Sequence, residues 1–224
     1  MHISLLCSAG LALTHKGQTL LLDAPNRLIP PFHVLPDGIT TSILERRPPY
    51  DTVCGLFYTH THGDHCDKDF LDTYTRRYPE IPCLTPEKLP EQGSVVIGPF
   101  TVSFCRIDHA PMDVPTPPHV VCLISTGAHT VYVAGDAKLD ADAHRAFLTG
   151  RKADIAFWNS MYLSRPQTRE LLLEASNCNY IYHMPESRED SFGLWRKCQR
   201  NLERYGRELS GVTIIDAYPT TIEL

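Results

Sequence analysis

The stretch that most constrains this chain is THTHGDH at 59–65, because it follows directly on the apolar run VCGLFY. A buried strand that delivers His60, His62, Asp64 and His65 into one turn calls for a fold whose strand ends share a rim. In extended or tightly turning backbone, His60 and His62 project the same way and can share one cation. Asp64 and His65 turn toward a neighbouring position and can serve a second. Imidazole together with carboxylate suits zinc, with manganese or iron as alternatives and calcium disfavoured. Such a site needs further ligands at other strand ends, and three stand there: His109 after TVSFCRI, Asp136 after TVYVAG and His183 after NYIY. His119 opens an apolar strand after Pro117–Pro118, a position that fits a core residue or a partner to the ligands as well as ligation itself. His2, His15, His33, His129 and His144 fall in loop or exposed-helix contexts and are expected to stay outside the site, although the loop carrying His33 could fold over it. Cys66 directly follows the motif and is expected to pack.

Composition narrows the remaining classes. Hydrophobic residues at 42% and charged residues at 21% exclude a disordered chain or a coiled coil. A net charge of −5 counts against a general nucleic-acid binder. No apolar run reaches the roughly 18 residues of a membrane span. The N-terminal MHISLLCSAG reads poorly as a signal peptide and well as strand. The eight cysteines include no Cys-x-x-Cys pair, so reduced thiols in a cytoplasmic protein are expected.

Residues 2–23 read as short strands broken at Ser8–Gly10 and Lys16–Gly17, with Asp23 at the last strand tip. The Pro-rich 24–50 stretch reads as a long loop with at most one helical turn, and loops of that length are usually functional. Phe70, Leu71, Tyr74 and Tyr78 set a helical period that Pro79 stops. A hairpin turning at Gly98–Pro99 follows, then two strands joined by a tight turn at Gly127. The remainder alternates: helices at 141–149, 166–175 and 191–209, strands at ADIAFW, NYIYH and VTIIDA. Ser164 and Gln167 fit a capping box. The whole chain, 1–224, reads as one α/β domain.

The ordered set LLLDAP, FYTHTHGDH, IDHA, VYVAGDA and YIYHMPE resembles the metallo-β-lactamase superfamily over nearly the full chain. The resemblance implies a four-layer αββα sandwich and two divalent metal ions, zinc first. It places His60, His62 and His109 at one metal, Asp64, His65 and His183 at the other, and Asp136 between them. It also implies a hydrolase in which a metal-bridging hydroxide, oriented by Asp64, attacks a small ester, lactone or phosphoester. The loop DHAPMDVPTPPH is similar to that of the ascorbate-6-phosphate lactonase-like and phospholipase D-like branch. Asp23 is a candidate partner for a ligand histidine, and Asn159, Tyr162 and Arg165 are candidate substrate contacts beside His119 and the 24–50 loop. Arg27, Arg46, Arg47, Lys138 and Arg165 could meet an anionic group on a small-molecule substrate. Two other readings remain: a nuclease or cyclic-nucleotide phosphodiesterase, and a non-catalytic metal-stabilised binding module. Substrate, native metal and oligomeric state stay open.

Overall fold

Apolar residues that alternate sides along consecutive strands have to be covered on both faces, and this requirement sets the layering of the chain. The computed structural model describes all residues from Met1 to Leu224. In β3 (Gln18–Leu22), Leu20 and Leu22 point into a core between two sheets, while Leu21 points outward into a core beneath helices. In β8 (Val120–Ser125), Cys122 and Ile124 point inward, and Val121 and Leu123 join a third core on the far side.

One sheet has the order β13-β1-β2-β3-β4-β5. It contains β1 (His2–Leu5), β2 (Leu11–His15), β3, β4 (Val53–Phe57), β5 (Cys83–Leu84) and β13 (Thr220–Glu223). The other has the order β12-β11-β10-β9-β8-β7-β6. It contains β6 (Gln92–Ile97), β7 (Phe100–Arg106), β8, β9 (Thr130–Val133), β10 (Ala153–Trp158), β11 (Ser176–Ile181) and β12 (Val212–Ile214). Pairing is antiparallel through β13, β1, β2 and β3 and through β6 to β9; β3–β4–β5 and β9–β10–β11–β12 are parallel. The first sheet carries α1 (Asp37–Leu44) and α2 (Lys68–Arg77) on its outer face, through Ile43, Phe70, Leu71 and Tyr74. The second carries α3 (Ala141–Leu148), α4 (Pro166–Ala175) and α5 (Leu194–Tyr205), through Leu148, Leu171, Leu172, Trp195 and Cys198. The result is the expected αββα sandwich. Parallel strands run their C-terminal ends to one edge, where β3, β4, β9, β10 and β11 all deliver loops.

The elements differ from the expectations in four places. The Pro-rich 24–50 stretch holds α1, a helix of eight residues instead of a single turn. The last helix begins at Leu194 and stops at Tyr205, with Gly206 after it, so it is shorter at both ends than 191–209 and does not reach Leu209. The cap of α4 is Arg165 with Pro166 inside the first turn, and no side chain caps it; Ser164 Oγ donates instead to the Met161 carbonyl at 2.6 Å, so the capping box does not form. Finally, the terminal Thr220–Glu223 returns as β13 against β1, although its few residues carry no periodic signal. No helix is long and apolar enough to cross a membrane.

Candidate metal centre

The candidate ligands follow strand ends, and hydrogen bonds from neighbouring groups aim several of them. Asp23 follows β3 in left-handed backbone (φ 50°) and is fully buried. Its Oδ1 accepts from the Thr59 amide at 2.7 Å, and its Oδ2 accepts from Thr59 Oγ1 at 2.7 Å. The same Oδ2 lies 3.0 Å from His65 Nδ1. A carboxylate accepts only, so His65 carries its proton on Nδ1 and turns Nε2 into the site. Thr59 has spent its hydroxyl proton on Asp23, so at 3.1 Å it accepts from His60 Nδ1 and leaves His60 Nε2 free. His109 Nδ1 donates to the Ala110 carbonyl at 2.6 Å, with the same consequence.

The loop after β9 brings Asp136. Gly135 holds φ 55°, and a Cβ there would lie 2.6 Å from His119 Nε2 and 2.9 Å from Thr59 Oγ1, so glycine is required for the close approach. His119 is buried; its Nε2 accepts the Asp136 amide at 3.1 Å while its Nδ1 donates to the Ile107 carbonyl at 3.0 Å. Burial pushes the ring down to about 3, so it stays neutral and serves as a peg for the Asp136 backbone. The Ala110 amide donates to the Asp136 carbonyl at 2.7 Å, pinning the His109 loop to the Asp136 loop. Asn159, just past β10, donates to the Gly135 carbonyl at 3.1 Å and lies 3.5 Å from Asp136 Oδ1. His183 follows β11 with φ 56°, a second non-glycine left-handed residue in the site, and its amide donates to the Ser8 carbonyl at 2.8 Å. Backbone held in that region is characteristic of sites whose surroundings over-determine it.

The candidate ligand atoms converge in two groups. Those of His60, His62 and His109 lie within 4.8 Å of one another, and so do those of Asp64, His65, Asp136 and His183. Asp136 Oδ2 is 3.5 Å from His65 Nε2 and 3.8 Å from His109 Nε2, between the two groups. His183 Nε2 is 3.2 Å from Asp64 Oδ2. Yet the Nε2 atoms of His60, His65, His109 and His183 are all buried and none makes a hydrogen bond. Four buried orphan nitrogens aimed into one space are costly unless something satisfies them.

The electrostatics agree with a cation there. Burial would raise the Asp136 carboxyl, but the His183 and His65 rings hold it well below the usual carboxylate range. Asp64 is held at about 2 against burial by the same two histidines. Burial opposes charge on His65 and His183; Asp136 overrides it at both, helped by Asp23 at His65 and Asp64 at His183, and raises them. His60 is pushed well below its ordinary value by burial and by its imidazole neighbours, and His62 is lowered by burial and His109. The field therefore favours positive charge beside the carboxylates and keeps the His60 and His62 rings neutral, the form able to ligate.

Other expected contacts fall elsewhere. Tyr162 is fully buried, not in the cleft; its hydroxyl meets His144 Nε2 at 2.6 Å and the Ala137 and Lys138 carbonyls at 3.3 Å. Arg165 and Lys138 line a neighbouring basin with Asp140 and Asp142. Arg46 and Arg47 are committed to loop carbonyls and to Glu45, respectively. His33 stacks on Tyr218 and leaves the cleft to its neighbour Phe32, whose ring stacks on His183 with centroids 4.1 Å apart. Phe32, Ile29, Met112, Val114, Met161 and Phe192 wall the opening above the ligands, and none of them stood out in the sequence. His144, expected on an exposed helix face, is completely buried.

No protein-family model matches the chain, and no curated protein matches it in sequence. Solved structures do share its architecture. The metallo-β-lactamase fold protein YhfI from Bacillus subtilis matches all of this chain over 99% of its own, with a TM-score of 0.67 at 15% identity. A possible metal-dependent hydrolase from Veillonella parvula DSM 2008 matches over the same shares with a TM-score of 0.69 at 16% identity. An isothiocyanate hydrolase from Delia radicum gut bacteria gives a TM-score of 0.65 at 15% identity, again over 100% of this chain and 99% of its own. The chain thus has the metallo-β-lactamase fold. At such identities the likeness speaks for the fold alone and selects no branch within it.

Proposed function

We propose that the chain, as one domain over 1–224, is a dinuclear metal-dependent hydrolase of a small molecule. The observation that carries this reading is the set of four buried, unpartnered Nε2 atoms facing two ionised carboxylates. His60, His62 and His109 would hold one ion, Asp64, His65 and His183 the other, and Asp136 both; nitrogen with carboxylate suits zinc, then manganese or iron. Ions bound there supply Lewis-acid polarisation of a carbonyl or phosphoryl oxygen and a water acidified toward neutral pH. The fold relatives described as hydrolases lend support to the same chemistry.

The chain's own residues supply orientation. Asp23 and Thr59 lock His65 and His60 in one tautomer each, and His119 and Asn159 fix the Asp136 loop. Asp64, at the cleft floor, would orient the attacking water and receive its proton. The nuclease reading gains nothing from the cleft, whose lining includes no lysine or arginine.

The test is metal analysis with kinetics. Wild type purified without chelator should carry about two ions per chain, and Asp136→Asn should lose both metal and turnover on an ester, lactone and phosphoester panel. Wild type that binds no metal stoichiometrically, or a metal-loaded protein inert on the whole panel, would overturn the reading.

A further inference from the structure

The opening above the ligands is a cleft of about 400 Å³. This lies toward the small end of the range of about 300–1,000 Å³ for small-molecule sites. Its walls are largely apolar, with Ile29, Phe32, Met112, Val114, Met161 and Phe192 among the side chains that line it. Several are strongly solvent-exposed, Phe192 at 55% and Met112 and Val114 at 54% each. Exposed large apolar side chains gathered at one place carry information that scattered ones do not. Here they come from four separate segments, 29–32, 112–114, 161 and 192, and line the same cleft.

The aromatic wall is built. Phe32 stacks on His183, and Phe192 stacks on Phe32 with centroids 6.4 Å apart and planes at 25°. Phe32 is bridged through its backbone to Pro185, and the Glu186 amide donates to the Pro31 carbonyl at 2.9 Å. Asn26 ties the base of the same loop, donating to the His33 and Asp64 carbonyls at 3.2 and 3.1 Å and accepting from the Leu35 amide at 2.9 Å. Met112 and Val114, on the loop that follows His109, line the same cleft.

Charge is confined to the floor. The ionisable residues of the lining are His62, Asp64, His109, Asp136 and His183, all in the ligand clusters, and no cationic side chain stands on the walls to receive an anion. Arg165 and Lys138 belong to the adjoining basin, and Arg27, whose backbone borders the cleft at Gly63, points its guanidinium to Asp69 at 3.7 Å. Bound cations attract negative charge at the reacting group whatever the walls are made of, so the walls speak for the remote part of the substrate.

The geometry points to a substrate whose non-reacting part is an uncharged alkyl or aryl group, seated between the Phe32–Phe192 wall and the Met112–Val114 wall. This deepens the hydrolase reading and rests on it. A distal carboxylate or phosphate would have to shed water against apolar surface without a partner.

Binding and turnover test it separately. The zinc-loaded protein, labelled at its methionine methyl groups, is titrated with acetamide, butanamide, hexanamide and adipamic acid, which is hexanamide's length with a distal carboxylate. Affinity should rise about fourfold per methylene, and the methyl signals of Met112 and Met161 should shift while those of Met1 and Met184 do not. Adipamic acid should bind at least about tenfold more weakly than hexanamide. Phe192→Ala should flatten the chain-length series with zinc content unchanged, and Phe192→Arg should recover adipamic acid. A flat series in wild type, or adipamic acid binding as tightly as hexanamide, overturns the proposal. In parallel, the matching p-nitrophenyl esters are assayed for hydrolysis. No hydrolysis alongside the expected binding pattern would sink the hydrolase reading and leave the wall assignment supported; hydrolysis indifferent to chain length would do the reverse.

Discussion

Asp23 is where a single side chain decides most about the site. It touches no cleft and is fully buried, yet it fixes the Thr59 amide and hydroxyl and the His65 ring, and through Thr59 it also fixes the His60 tautomer. Asp23→Asn keeps the shape but can turn an amide N–H toward His65 Nδ1, which forces the ring to give up its orientation or its proton. Metal affinity should fall about 10- to 100-fold, the usual effect of losing an outer partner to a ligand, and a competitive chelator titration reads it directly. An affinity equal to wild type would show that Asp23 serves only the strand end. At this scale the sequence was informative: every ligand position follows a strand, and a histidine or aspartate after an apolar run leaves a visible mark. The wall residues leave no such mark. Phe32, Met112 and Phe192 sit in loops without period, and only the path of the backbone brings them together.

Helix α3 shows how an element can be misread from its composition. Ala141, His144 and Leu148 share one buried face at a spacing that the sequence displays, and the histidine's polarity hid it. The ring sits between the Tyr132 and Tyr162 hydroxyls, the latter at 2.6 Å, with the α3 cap Asp140 and the Lys138 backbone nearby. This polar cluster docks α3 and the 160–163 turn onto the second sheet, where an all-apolar contact would have been the simpler expectation. Burial lowers His144 from 6.5 to about 4, with the Lys138 backbone and then Asp140 opposing the shift. A histidine with a depressed native pKa takes up its proton first in the unfolded chain. Its contribution to stability is therefore complete above pH 6.5 and is lost as pH falls from there through about 4. The loss should reach about 3 kcal/mol. Urea unfolding of wild type and His144→Gln at intervals from pH 7.5 to 4 measures it: the wild type should lose that much more than the variant, and parallel curves would show that His144 does not titrate with folding.

For the whole molecule, the layers and a metal bound at the candidate centre would be separate sources of stability. Three apolar cores lie between and outside the sheets, and none is built from the ligand residues. The chain is long enough to fold on those cores alone, as its length and ordinary composition suggested, whereas short metal-dependent domains are unfolded without their ion. The centre nevertheless joins loops from both sheets: His60, His62, Asp64 and His65 come from the first, His109, Asp136 and His183 from the second. A bound ion therefore ties the two halves of the sandwich together in the native state and has no equivalent site in the unfolded one. Mass action then sets the size of the effect. At a free metal concentration of about 1,000 times Kd, each site adds roughly 4 kcal/mol, and a chain of this size gains about 2–4 °C in Tm per kcal/mol. Chelator-treated protein should keep its far-ultraviolet dichroism and a cooperative melt, with a Tm lower than the zinc-reconstituted form by on the order of 10 °C or more. Calorimetry across a zinc series should show the Tm climbing with the logarithm of free zinc, and Asp136→Asn should abolish the climb. A Tm indifferent to zinc would mean that the cluster does not bridge the sheets through a metal, while loss of all structure on chelation would mean that the cores do not suffice without it.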